Sequence, residues 1–148
     1  MKKIISVPPN YFYGCLFLCI PFYFILSTLK IINYPYNLFG LLLIPVGIYF
    51  VLSPWYSFKK YDTPEDFSDS TALVKDGLYK YSRNPMYLGG VFILIGLAIS
   101  TCNICALLAP LLFFIIMNYM FIPFEEKKMN STFGEDYTKY KNIVRRWI

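Results

Sequence analysis

The sequence predicts an all-α integral membrane protein of about four transmembrane helices, in which spans 3 and 4 form a helical hairpin, with a cytoplasmic loop and a C-terminal interfacial helix. Of its 148 residues, 57% are hydrophobic and 20% aromatic, more apolar surface than one soluble core of this size hides. Residues 11–29 and 36–58 carry no charge, and each reaches the roughly 20 residues that a helix needs to cross a hydrocarbon layer of about 30 Å. A third apolar region, 86–124, is about twice that length. It is interrupted at Ser100-Thr101-Cys102-Asn103 and divides there into two helices.

The elements follow in order within a single membrane domain, 1–148. Lys2 and Lys3 resemble the start of a signal peptide, but the apolar run behind them is span-length and no small-residue cleavage pattern follows, so the segment is expected to be retained. Span 1 covers about 11–29, where Cys15 and Cys19 read as packing residues. Span 2 covers about 37–58. The loop from Lys59 to Arg83 is polar, with Asp62, Glu65, Asp66, Asp69 and Asp76 among its bases. Near its end Asp76-Gly77 reads as a turn, and Asn84-Pro85 puts a capping residue ahead of a proline at the first helical position. Span 3, about 85–101, would measure about 25 Å, slightly short for a crossing, which sets its N-terminus near the interface. Its backbone N–H groups there suit a ligand carboxylate or phosphate. Span 4, about 105–124, runs into the adjacent acids Glu125 and Glu126. Beyond Gly134, Tyr137, Tyr140 and Val144 recur at helical spacing among basic residues, the pattern of an interfacial amphipathic helix.

The net charge of +5 falls on Lys2 and Lys3, on the 59–83 loop and on the tail from Lys127 to Arg146. Four spans place all three on one side, so both termini and the loop are expected to be cytoplasmic and close to anionic lipid. No soluble basic domain exists to bind nucleic acid. Cys102 and Cys105 have a C-x-x-C spacing, but a single pair in a chain without histidine completes no zinc set, and no metal is expected. Inert thiols are favoured over a disulfide there.

Three strings converge at the cytoplasmic end of spans 3 and 4: Leu73-Val74-Lys75-Asp76-Gly77-Leu78-Tyr79; Ser82-Arg83-Asn84-Pro85-Met86-Tyr87-Leu88-Gly89-Gly90; and Glu125-Glu126 with Phe133-Gly134-Glu135-Asp136-Tyr137-Thr138-Lys139-Tyr140 after it. In order and spacing they resemble the signature of the integral membrane methyltransferases that include isoprenylcysteine carboxyl methyltransferase and the phospholipid N-methyltransferases: L-V-x-x-G-x-Y, R-H-P-x-Y-x-G, a helical hairpin, E-E and F-G-x-x-Y-x-x-Y. The resemblance covers about 71–146.

It implies an enzyme that binds S-adenosylmethionine in a pocket closed by the loop and the tail. A lipid-like or prenylated methyl acceptor would arrive from the membrane lipid. Carried over by position, Ala72, Leu73, Val74 and Tyr79 would contact the cofactor. So would Arg83, Asn84, Pro85, Met86 and Tyr87 at the start of span 3, and Glu125 and Glu126 at the end of span 4. No single side chain is assigned a catalytic role. The sequence departs from the pattern twice: Asn84 stands where the family has histidine, and Phe121, a candidate substrate contact, stands where many relatives have an acceptor-facing arginine. The second departure argues against an acceptor carboxylate held by that arginine. Bland readings stand beside these. Asn84 would cap span 3 through its side chain, Arg83 would snorkel to phosphate, Glu125 and Glu126 would pair with Lys127 and Lys128, and Gly89-Gly90 would permit close helix packing. Two other functions compete: a non-catalytic four-helix membrane protein or pseudo-enzyme, and a relative of the nicotinamide-dependent sterol reductases.

Overall fold

A chain whose apolar segments meet no water must satisfy its peptide groups internally, and helices do this within one segment. The computed structural model describes residues 8–25, 32, 34–62 and 71–148, and every regular element among them is helical. Helix α1 is Pro8–Ile25, α2 is Phe39–Lys60 after a 3-10 turn at Tyr36–Leu38, and α3 is Pro85–Ser100. Helix α4, Leu108–Ile116, passes through a π turn at Met117–Phe121 directly into α5, Ile122–Ile143. The end of the expected first span, Lys2, Lys3 and the acids Glu65, Asp66 and Asp69 lie outside the described residues.

Among the described residues two continuous helices are long and apolar enough to cross a membrane, Tyr36–Lys60 and Cys105–Ile143, and α3 is a shorter apolar helix. Only 17% of the most apolar window of Tyr36–Lys60 is buried within the protein, so most of that helix needs an apolar solvent of its own. Phe39, Leu42, Tyr49 and Tyr56 are all exposed, which suits lipid and not water.

Helices α2 and α3 pair antiparallel through four glycines. Gly47 opposes Gly89 and Gly40 opposes Gly96, seven residues apart on each helix and so two turns apart on one face. A Cβ on Gly47 would lie 2.6 Å from the carbonyl oxygen of Gly89, and one on Gly96 would lie 2.6 Å from that of Gly40. Backbone thus touches backbone, the close approach that small residues permit in membrane helices. The Gly89 packing expected from the sequence is present, and it makes α2–α3 the most extensive pairing. The predicted hairpin of spans 3 and 4 is the looser contact, because α4 shares its packing between α3 and α1. Between them lies the core: Cys15 of α1, Leu94 of α3, Ala109 and Phe113 of α4, and Met117, Phe121 and Ile122 around the π turn. The i→i+5 bonding of a π turn widens the helix locally, and Met117, Phe121 and Ile122 are each at most 1% exposed.

Two boundaries differ from the sequence reading. The fourth apolar stretch ends at Phe124 but its helix continues to Ile143, because a change from apolar to charged residues alters the solvent without breaking the backbone. Gly134 bends that helix with φ 51° and ψ −118°, a conformation that suits glycine. The tail helix stops at Ile143, and Val144 is extended. The sequence pattern predicts that its tyrosine stripe faces the membrane interface. Tyr137, Tyr140 and Val144 instead bury themselves against Leu73, Met129 and Phe133 of the same chain. Helical spacing identifies the buried face of a helix, not what covers it.

The glycine contact is testable in detergent. Gly47→Ala forces α2 from α3 and is expected to cost about 1–3 kcal/mol, lowering the Tm. Gly14→Ala, on an open face of α1 with nothing within 4 Å of a new Cβ, is expected to leave the Tm unchanged or slightly higher.

Candidate active site

The loop before α3 is placed by small local bonds. Asp76 accepts from the hydroxyl of Tyr61, its carbonyl accepts from the Tyr79 N–H at 3.1 Å, and Gly77 takes the positive φ of 60° that starts the 3-10 turn Gly77–Lys80. The expected Asp76-Gly77 turn is therefore present. It sets the Tyr79 ring 5.7 Å from Phe58 of α2. The Tyr79 carbonyl accepts from the hydroxyl of Tyr140 at 2.7 Å, which pins the loop to α5. Ala72 and Leu73 are half-buried beside this contact and Val74 is buried.

Helix α3 opens as the sequence suggests by position, with Asn84 at the N-cap and Pro85, fully buried, at the first turn. The Asn84 side chain makes no cap bond. Its amide donates to the carbonyl of Arg146 at 2.8 Å, while its own N–H donates to Ser82 Oγ at 3.1 Å. The Arg83 N–H donates to the carbonyl of Arg145 at 3.0 Å. The extended tail thus lies along residues 82–84 as a strap. The amide is turned toward the strap's carbonyl instead, which leaves the first turn of α3 without a side-chain cap from Asn84.

Glu126 is the hub. Arg83 Nη1 lies 2.9 Å from its Oε1, and Arg146 grips it with two nitrogens, Nε at 3.2 Å and Nη2 at 2.9 Å. Lys141 Nζ stands 3.6 Å away. Burial works to raise this carboxyl, but the Arg146 hydrogen bond and the charges of Arg83, Arg146 and Lys141 prevail and hold it below the usual carboxylate range. Neither bland reading of these residues holds. The Arg83 side chain is only 9% exposed and does not snorkel, and Glu126 pairs across the fold, not with the lysines that follow it.

Glu125 has a different environment. The hydroxyl of Tyr87, from the first turn of α3, donates to its Oε1 at 2.6 Å, and its other oxygen has no hydrogen-bond partner among the described residues. Burial raises its carboxyl, the Tyr87 bond opposes, and the negative charge of Glu126 raises it further, leaving it pushed up to about 7. Tyr79 lies close enough to feel that charge. The structure therefore brings Tyr79, Tyr87 and Glu125 together, with Arg83, Asn84 and Glu126 immediately behind. Met86 is half-buried in the first turn of α3. Phe121 is elsewhere: 1% exposed, it packs edge-on against Tyr11 of α1 at 5.1 Å.

Asn118 and Trp147 escaped the sequence reading, and Ser82 and Arg146 entered it only as part of a string and as a tail charge. Asn118, in the π turn, accepts from Trp147 Nε1 at 3.0 Å and from Arg146 Nη1 at 3.4 Å, and the Trp147 ring lies 4.7 Å from Phe114. The signal was the one strongly polar side chain in the apolar run 106–124; an amide held partly out of water needs a partner, and the tail supplies it.

The family model described as phospholipid methyltransferase matches residues 35–136 of this chain. An uncharacterized protein of Haemophilus influenzae is 36% identical over 63 residues, which are 43% of this chain and the whole of that relative.

The hub gives a prediction with a sign. A lowered carboxyl contributes stability above its unfolded value, near 4.5, and loses it as pH falls through the lower folded value. Acid below that range should therefore free the strap. At neutral pH, Glu126→Gln leaves three cations without their anion and is expected to cost about 3 kcal/mol, with faster proteolysis around 144–147. Glu135→Gln, which removes only an exposed contact to Lys139, should change neither.

Proposed function

The chain belongs to the phospholipid methyltransferase family, and from that premise we propose that it transfers a methyl group from S-adenosylmethionine to a lipid acceptor at the cytoplasmic face of a membrane. The observation that carries the reading is the Tyr87–Glu125 contact, which joins the first turn of α3 to the end of the apolar part of the α4–α5 helix. In this reading the chain crosses the membrane four times, with the charged ends of α2, α3 and α5 in the cytoplasm.

The donor is a sulfonium carrying an amino-acid group and a nucleoside, and bound here it supplies an electrophilic methyl. The residues present fit such a molecule. Glu125 offers a carboxylate oxygen with no hydrogen-bond partner among the described residues, and Tyr79 and Tyr87 offer ring faces to a cation. The half-buried Ala72–Leu73 segment and Val74 offer backbone and apolar contact, and Pro85 and Met86 lie at an opening helix end whose N–H groups suit a carboxylate. Arg83, Asn84 and Glu126 act from behind this wall: they tie the strap to α3 and so fix the direction of Tyr87 and Glu125.

Phe121 lies in the core and offers the site no cation. A prenylcysteine carboxylate brought against the ionised Glu125 would meet a like charge, so the reading favours acceptors that are not anionic at the reacting atom. Phe121 contributes by packing Tyr11 and closing the core beneath the site.

Purified protein in detergent is expected to bind S-adenosylmethionine or S-adenosylhomocysteine by calorimetry. Tyr87→Ala should weaken that binding about tenfold, a loss of about 1.4 kcal/mol. Folded protein that gives no heat with either ligand would contradict the reading.

A further inference from the structure

A polar side chain inside an apolar span is costly and is retained for a partner or a task. Ser100 and Thr101, at the end of α3, return their hydroxyls to carbonyls close by in the chain, those of Gly96 at 2.8 Å and Ala98 at 2.7 Å. Asn118, the one strongly polar side chain in the run 106–124, reaches instead to the far end of the chain. Its Oδ1 accepts two bonds from the strap, from Trp147 Nε1 at 3.0 Å and from Arg146 Nη1 at 3.4 Å.

The same guanidinium grips Glu126, eight residues further along one continuous helix, through Nε at 3.2 Å and Nη2 at 2.9 Å. A flat, rigid fork reaches both only if they share a face. In an uninterrupted α-helix they would not: at about 100° per residue, residues seven apart nearly coincide and residues eight apart diverge by about 80°. Such a helix would place Glu125, and not Glu126, in line with Asn118. The π turn Met117–Phe121 holds more residues per turn and takes up the excess. Glu126 therefore faces the strap. Glu125 is left to the Tyr87 hydroxyl, with its second oxygen free of any hydrogen bond among the described residues.

We infer that Asn118 is a positioning residue for the site: it anchors Arg146 so that the fork engages Glu126 and stays off Glu125, the adjacent acid with an oxygen to spare. This rests on the methyltransferase reading above, in which that oxygen meets the methyl donor. Asn118 touches neither donor nor acceptor. It acts through Arg146, whose carbonyl also accepts from the Asn84 amide at 2.8 Å and so carries the same anchor to the start of α3. Released from Asn118, Arg146 has two neighbouring acids to choose between, and an Arg146–Glu125 pair would close the oxygen that the donor needs.

The test uses the full chain in detergent, with S-adenosylhomocysteine affinity measured by calorimetry at a temperature well below the Tm of every variant. Asn118→Leu keeps the volume and removes the acceptor, and is expected to weaken binding about fivefold or more, the scale of one hydrogen bond. Asn118→Asp keeps an oxygen toward Arg146 and Trp147 and should bind within about twofold of wild type. Arg146→Gln removes the fork itself. Combined with Asn118→Leu it should bind as Arg146→Gln alone does, because the effects of residues acting through one another do not add. A residue that only steadied the tail would lower the Tm and leave the affinity of the folded protein unchanged. Folded Asn118→Leu protein with wild-type affinity therefore overturns the proposal. So does Asn118→Asp binding no tighter than Asn118→Leu, or a double variant in which the two losses multiply. Wild-type protein that fails to bind S-adenosylhomocysteine overturns the methyltransferase reading itself, and this proposal with it.

Discussion

The carboxylate of Glu126 draws together three distant parts of the chain. Arg83 comes from the loop before α3, Lys141 from the last turn of α5 and Arg146 from the extended strap. An anion at the end of an apolar helix is costly unless paired, and cations carried into the same place are costly in turn. Each therefore requires the others, and the arrangement closes only when the start of α3 and the continuation of α4 into α5 are side by side. Tyr87 and Glu125 sit one step outward from that closure. Their 2.6 Å contact is a consequence of it, since neither helix end has another strong polar reason to meet the other.

Beneath the polar cluster the packing is uniform in kind. Glycine brings α2 and α3 to backbone contact, and the π turn lets Met117, Phe121 and Ile122 all enter the core. The π turn also carries Asn118, which reaches the strap through Trp147 and Arg146. Core and cluster are thereby connected: the widened turn that completes apolar packing also offers the acceptor that holds the tail. A π turn at such a position is often found where a helix serves a site.

Much of this was legible in the sequence, because the strongest signals are physical and local. Uncharged runs gave the apolar helices, and Asn84-Pro85 gave the start of α3 to the residue. The order of Arg83, Tyr87 and Glu125-Glu126 anticipated which helix ends meet. What escaped depends on partners far away in sequence. Asn84 is spaced like a cap, yet its amide goes to Arg146, 62 residues on. Tyr137 and Tyr140 form an amphipathic stripe, but whether lipid or Leu73 covers it is decided by the fold of a loop. Gly40 and Gly47 are two ordinary glycines until α3 supplies Gly89 and Gly96 at the same interval. The helix that runs past Phe124 to Ile143 was hidden by the change in hydropathy, which marks the edge of a solvent and not of a backbone.

The two acids at the head of α5 differ in role: Glu126 ties the helix ends together, and Glu125 faces the chemistry in the proposed function. The most direct measurement is transfer of radiolabelled methyl from S-adenosylmethionine by the purified protein in vesicles containing phosphatidylethanolamine. The account predicts label in the extracted lipid, in proportion to protein added. Label absent from the lipid while the folded protein binds the donor, or label found only on the protein, would contradict it.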